Sequence, residues 1–218
     1  MRKYIIIIML VGLISVQFAS CSKTYNIGDV GPAGGYIFYD CDADNKSGNY
    51  DGLISTECGW RYLEAAPTDL DGSTVETTYR FGYYRTSSSG SNLTIGTGTA
   101  IGTGKANTDV LVKAMGETTY PRERGADKET YAAKACSDYS ITVDGTVYDD
   151  WFLPSKDELN LMYENLYKKG LGSFASNYYW SSSEDSSYYA WRQSFGNGSQ
   201  YDYNRGSNYS VRPVRAFK

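Results

Sequence analysis

Along the C-terminal stretch from Tyr178 to Lys218, large apolar side chains recur among Tyr, Ser, Asn, Asp, Gly and Arg. In Ala190-Trp191-Arg192-Gln193-Ser194-Phe195 the two-residue alternation predicts a strand. Trp191 and Phe195 would then face the interior, with Arg192 and Ser194 on the side offered to solvent. Ala33 to Tyr39 is an aromatic and β-branched run after a glycine turn and predicts another strand; Trp60 to Ala66 predicts the strand that follows. From Tyr83 to Gly104 the chain is Ser, Thr and Gly with little apolar content, which reads as a long surface loop with short irregular pairing.

Helical spacing is confined to three places. Thr108-Asp109 can cap a helix over Val110 to Met115, with Gly116 as its stop. Asp127 to Cys136 sets Tyr131, Ala132, Ala135 and Cys136 on one face. The strongest start signal is Pro154-Ser155-Lys156-Asp157-Glu158, where Ser155 and Glu158 have the spacing of a reciprocal capping box. Leu159, Met162 and Leu166 then share a face. Lys168-Lys169 suit the negative end of the dipole, and Gly170 ends the helix.

The N-terminus is of another kind. Met1-Arg2-Lys3 is followed by an apolar run from Tyr4 to Val16 and by Phe18-Ala19-Ser20-Cys21, so residues 1–20 read as a secretory signal peptide. The cut site is similar to a bacterial lipobox, although Phe18 stands where an aliphatic residue is usual. That resemblance implies a lipid on Cys21, an anchor and linker over 21–32, and a single domain over 33–218. The protein is expected to be exported and lipid-anchored to the cell envelope, at its outer surface. Plain secretion and an uncleaved anchor are the alternatives.

Charge narrows the partners. The chain has formal charge −4; losing Arg2 and Lys3 leaves 19 basic against 25 acidic residues, or −6. An acidic domain is a poor electrostatic match for nucleic acid. With Cys21 set aside, Cys41, Cys58 and Cys136 permit three pairings, of which Cys41–Cys58 would staple a polar insertion. That insertion, Asp40 to Asp51, places Asp40, Asp42, Asp44 and Asp51 at the first, third, fifth and twelfth positions of a calcium loop. Against Ca2+ stand Asn45 where Gly is expected, Asp51 where Glu is usual, and no leading helix. A plain acidic loop is the other reading.

Catalytic readings fare poorly. The chain has no histidine, which removes the usual base for nucleophilic catalysis. Gly96 to Lys105 fails as a phosphate loop because Ala106 follows Lys105, and fails as a dinucleotide turn because Ile101 replaces the last glycine. Asp149-Asp150 and Glu184-Asp185 could act as acid pairs in a hydrolase, but with 25 acidic residues such pairs are commonplace. No enzyme is expected.

Four blocks occur in order: Trp151-Phe152-Leu153-Pro154-Ser155-Lys156-Asp157-Glu158-Leu159, Tyr179-Trp180-Ser181-Ser182-Ser183, Ala190-Trp191 through Phe195, and Val211-Arg212-Pro213-Val214-Arg215. Together they resemble the Lcl C-terminal domain family, named for a collagen-like bacterial adhesin and similar to the formylglycine-generating-enzyme type of C-type lectin fold. The likeness covers residues 130–217. Gly31-Pro32-Ala33-Gly34-Gly35 and Gly59 to Glu64 look like the N-terminal part of exported relatives. The resemblance implies an α/β (α+β) lectin-like domain, with a small antiparallel sheet, two or three short helices and long loops.

Such domains are also similar to targets of diversity-generating retroelements. Asp185 to Tyr189, Arg192, Ser194, Gly196 and Gln200 to Tyr209 carry that Tyr/Ser/Asn/Asp/Gly/Arg palette. The expected ligand-binding residues are Tyr188, Tyr189, Tyr201, Tyr203 and Tyr209 as contact area, Arg192 and Arg205 as charge, and Ser194, Asn204 and Asn208 as hydrogen-bonding groups. The partner would be a protein or glycan at the cell surface. A structural envelope protein without a specific ligand is the alternative.

Overall fold

The computed structural model describes residues 23–43, 59–70, 78–85, 90–116 and 130–218. The signal segment, Cys21, Asp44, Asp51 and Cys58 lie outside them, as does the start of the helix expected from Asp127. The described residues form a mixed α+β fold with four short antiparallel sheets.

Strands distant in sequence make the first sheet. The strand β2 (Tyr62–Ala65) lies between β1 (Tyr36–Asp40) and β10 (Val214–Phe217), so an N-terminal strand is hydrogen-bonded to the C-terminal one. Glu64 locks this sheet. Its carboxylate accepts from Ala33 N at 3.1 Å and Gly35 N at 2.9 Å, and meets Arg215 Nη1 at 3.2 Å. Glycine is required beside it: a Cβ at Gly31 would stand 2.4 Å from the Glu64 carboxyl carbon, and one at Gly35 would stand 1.9 Å from Ala65 O. Burial pushes the Glu64 carboxyl above its ordinary value, with the backbone bonds and Arg215 opposing.

The next strand, β3 (Tyr79–Arg80), pairs with β9 (Asn208–Tyr209). Then β4 (Ile141–Val143) and β5 (Thr146–Tyr148) form a hairpin around Asp144-Gly145, both at positive φ. An Asp-Gly pair between alternating residues is a strong hairpin signal, and the sequence reading passed over it.

The helix α1 (Gly104–Met115) begins earlier than Thr108-Asp109 predicts. Thr108 is buried and turned to other use, its Oγ1 accepting from Leu153 N at 3.0 Å. The α1 N-terminus is instead met by Glu158, whose Oε1 accepts from Gly102 N at 2.8 Å and Gly104 N at 3.4 Å. The helix α2 (Ala132–Ser137) buries Ala132, Ala133, Ala135 and Cys136; Cys136 is a buried free thiol, its pKa raised by burial. The helix α3 (Lys156–Asn165) has the expected capping box, and a 3-10 turn over Tyr167–Lys169 carries the chain to Gly170 in the left-handed region.

The remaining strands, β6 (Tyr178–Glu184), β7 (Tyr189–Ser194) and β8 (Gln200–Asn204), form a sheet in that order. Strand β6 is a wall between two cores. Tyr179 joins Phe38, Leu63, Phe152, Leu159, Met162, Leu166, Phe195 and Val214, whereas Trp180 joins Phe81, Leu111, Tyr131, Leu153, Ala190 and Val211. Successive side chains of a strand point to opposite faces, which is why neighbours serve different cores.

Candidate functional site

Register assigns the faces of the β6-β7-β8 sheet. Arg192 stands opposite Trp180 on β6 and Tyr201 on β8, Tyr178 opposite Ser194, and Ala190 opposite Tyr203. Directly paired residues share a face. Tyr178, Trp180, Ala190, Arg192, Ser194, Tyr201 and Tyr203 are therefore on one side, and Tyr189, Trp191 and Gln193 on the other. The second side lies over α3: Lys156 Nζ sits 3.5 Å from the centroid of the Trp191 ring, and Gln193 Nε2 donates to Asn160 Oδ1 at 2.8 Å.

This corrects the expected division of β7. Arg192 and Ser194 are each only 9% exposed, while Trp191 is half-buried under Lys156 and Phe195 is fully buried. Arg192 sinks because tyrosines cover it. Its Cζ lies 3.8 Å from the centroid of Tyr178, 4.0 Å from Tyr203 and 4.5 Å from Tyr209. Tyr209 in turn packs edge-on against Trp180, with centroids 4.9 Å apart, so the cage rests on the core. Burial raises the Tyr209 phenol's pKa, with Arg192 opposing.

Arg192 has no carboxylate within ion-pair range among the described residues. Its Nε is buried without a hydrogen-bond partner. Leaving such a donor unsatisfied costs about 1–3 kcal/mol, and ring faces return roughly 0.5–2 kcal/mol each as cation–π contact. Around this cation Tyr201 and Tyr203 stay 47% and 43% exposed. The arrangement offers flat apolar rings, phenol hydroxyls and one positive charge.

Arg205 does not belong to it. It is fully buried and ion-paired with Glu184, Nη2 to Oε1 at 2.8 Å; it also donates to Ser186 O. Burial pulls its pKa below the usual value, with Glu184 opposing. Glu184 also accepts from Ile95 N at 2.9 Å and Gly96 N at 2.8 Å, so both partners are scaffold, and Glu184 is not a free acid for hydrolysis. Asp150 is engaged in the same way, by Arg215 at 2.7 Å.

The other expected contacts divide. Tyr188 and Tyr189 are exposed at the β6–β7 turn, with Tyr189 on the face away from Arg192. Asn204 is exposed and accepts from Tyr83 Oη at 2.6 Å; Asn208 is exposed on β9. Tyr178 was missed by the sequence reading, although its place two residues before Trp180 puts it on the same face. In the acidic insertion, Asp40 is taken up by Arg61 at 2.9 Å, and Asp42 lies 3.3 Å from the same guanidinium. These two of the four carboxylates expected to hold calcium thus already face a cation. Asp44, Asp51 and the Cys41–Cys58 pairing fall outside the described residues.

Residues 102–215 match the Lcl C-terminal domain family. The match spans just over half of the 218 residues; strands β1 and β2 precede it, yet β2 pairs with its end through β10. No curated protein matches the chain.

Proposed function

The chain belongs to the Lcl C-terminal domain family, and from that premise we propose that it is a surface-displayed, adhesin-like lipoprotein that binds a protein or glycan. Its ligand would meet the face built by Tyr178, Arg192, Tyr201, Tyr203 and Tyr209. The observation that supports this most is the cage itself: a cation without a carboxylate, roofed by rings that rest on the core and flanked by two exposed tyrosines. Aromatic anchors around an arginine are the residue types that dominate binding energy at interfaces. The lipid anchor on Cys21 and the C-type-lectin-like relationship belong to the same reading. So does diversification of the exposed palette positions Tyr188, Tyr189, Tyr201, Tyr203, Asn204 and Asn208. Arg205, held by Glu184, would not tolerate it.

Glycan and protein arrays probed with the full chain and with a Tyr201→Ala/Tyr203→Ala variant test the reading. The parent should bind at least one probe that the variant loses while remaining folded, its melting temperature lowered by only a few degrees. A parent that binds nothing would favour a structural envelope role. Detergent partitioning of a Cys21→Ala variant checks the anchor, and a genome neighbourhood without a reverse transcriptase and a near-copy of the segment would remove diversification.

A further inference from the structure

The outer edge of β8 adds something that the tyrosine cage alone does not specify. Ser194 N donates to Ser199 O at 2.9 Å and Arg205 N to Tyr188 O at 3.1 Å. Hydrogen-bonded pairs alternate along an antiparallel ladder, so Arg192/Tyr201 and Ala190/Tyr203 are the pairs that exchange bonds. The backbone N–H and C=O groups of Gln200 and Asp202 therefore point away from β7. No strand lies beyond β8 among the described residues, and residues 201–204 are exposed. An edge of this kind is a template for another chain unless something blunts it.

Arg192 states what that chain should carry. Although rooted on β7, its guanidinium reaches the Tyr203 ring on β8 at 4.0 Å, and no carboxylate of the described residues answers it. Asp202, the one acid on β8, stands opposite Trp191 and so on the other face. A strand added to β8 would lie about 4.8 Å beyond it, close enough for an Asp or Glu side chain to lean across Tyr201 or Tyr203 toward the cation. The chain's net charge of −4 opposes an acidic ligand only at long range, because screening at physiological salt acts within about 8 Å.

We propose that β8 accepts an extended peptide segment of a partner protein by strand addition, with a carboxylate side chain of that segment paired to Arg192. This rests on the recognition face described above and names its ligand class. Main-chain bonds to Gln200 and Asp202 would supply affinity, and the Tyr201–Arg192–Tyr203 surface would select alternate side chains.

The test pans a phage-displayed random decapeptide library on the purified full chain and measures the enriched peptides by fluorescence anisotropy. Enriched sequences should alternate and share an Asp or Glu. Changing that residue to Asn or Gln should weaken binding at least tenfold, as should Arg192→Gln, and the two together should do little worse than either alone. Asp202→Pro removes an outward N–H, which edge strands tolerate, and an exposed carboxylate; it should abolish peptide binding at unchanged melting temperature, whereas Asp202→Asn, which removes the charge and keeps the N–H, should not. Peptides that bind equally well without a carboxylate would overturn the pairing with Arg192. Array ligands that are lost in Tyr201→Ala/Tyr203→Ala but unaffected by Asp202→Pro would keep the recognition face and overturn strand addition. If nothing binds in either format, both fall.

Discussion

Arg192 lies on β7 and Arg205 follows the last residue of β8, and both are buried, yet they are solved differently. Arg205 is answered by a carboxylate, Glu184 at 2.8 Å, and by backbone carbonyls. Arg212 and Arg215 follow the same plan, with Asp69 at 2.6 Å and Asp150 at 2.7 Å. Arg192 is answered by three aromatic faces and by no acid among the described residues. A paired buried charge belongs to the scaffold, because nothing outside is needed to balance it. A charge held only by ring faces keeps most of its attraction for an anion, and here it lies beside exposed tyrosines.

The largest effect should come from breaking the paired class. Glu184→Ala leaves Arg205 buried without its counter-charge and frees the amides of Ile95 and Gly96, which should cost about 3–5 kcal/mol, seen as a lowered denaturation midpoint. Arg192→Gln should cost less than half as much; equal costs would erase the distinction between the two arginines.

A similar magnitude, with a pH signature, is expected at Glu158. This carboxyl joins two helix starts, accepting from Gly102 N and from Ser155 N at 2.7 Å, and burial pushes its pKa from 4.5 to about 7. The folded state therefore binds the proton more tightly than the unfolded state. Stability from this group is fully present below about pH 4.5 and is lost as pH rises to about 7, by about 3 kcal/mol in all. Urea midpoints between pH 5 and 7.5 should show that slope, and Glu158→Gln, though destabilised, should lack it.

Smaller still is Tyr203→Ala. It removes one ring from the cage and should lower stability by about 0.5–1.5 kcal/mol, while its effect on ligand capture should be large. At the bottom of the scale, Lys105→Ala deletes a half-exposed pair with Asp109 and should change stability by about 0.3–0.5 kcal/mol. Differential scanning calorimetry of these two beside Glu184→Ala would show whether effects rank by burial and pairing.

What the sequence disclosed follows the range of its signals. The capping box of Ser155 and Glu158 and the buried face of Leu159, Met162 and Leu166 are local, and they were legible. So were β1 and β2 from their aromatic alternation. The start of α1 was not, because its donors are met by Glu158, more than fifty residues away, while the N-cap residue Thr103 makes no capping bond and donates its hydroxyl to Ala100 O instead. For the site, the sequence pointed to residues that the structure places on and beside the β6-β7-β8 sheet but could not tell Arg192 from Arg205. Both sit in the same Tyr- and Asn-rich surroundings, and only the tertiary position of Glu184 separates them. Nor could alternation alone show that Arg192 would be roofed, since Tyr178 and Tyr209 arrive from other strands.

The most direct measurement is the array profile of the full chain beside Tyr201→Ala/Tyr203→Ala, with melting temperatures taken on the same samples. The account predicts at least one ligand bound by the parent and lost by the variant while the variant stays cooperatively folded, unfolding only a few degrees lower. Identical profiles from two folded samples would contradict it, because the exposed tyrosines beside Arg192 would then recognise nothing.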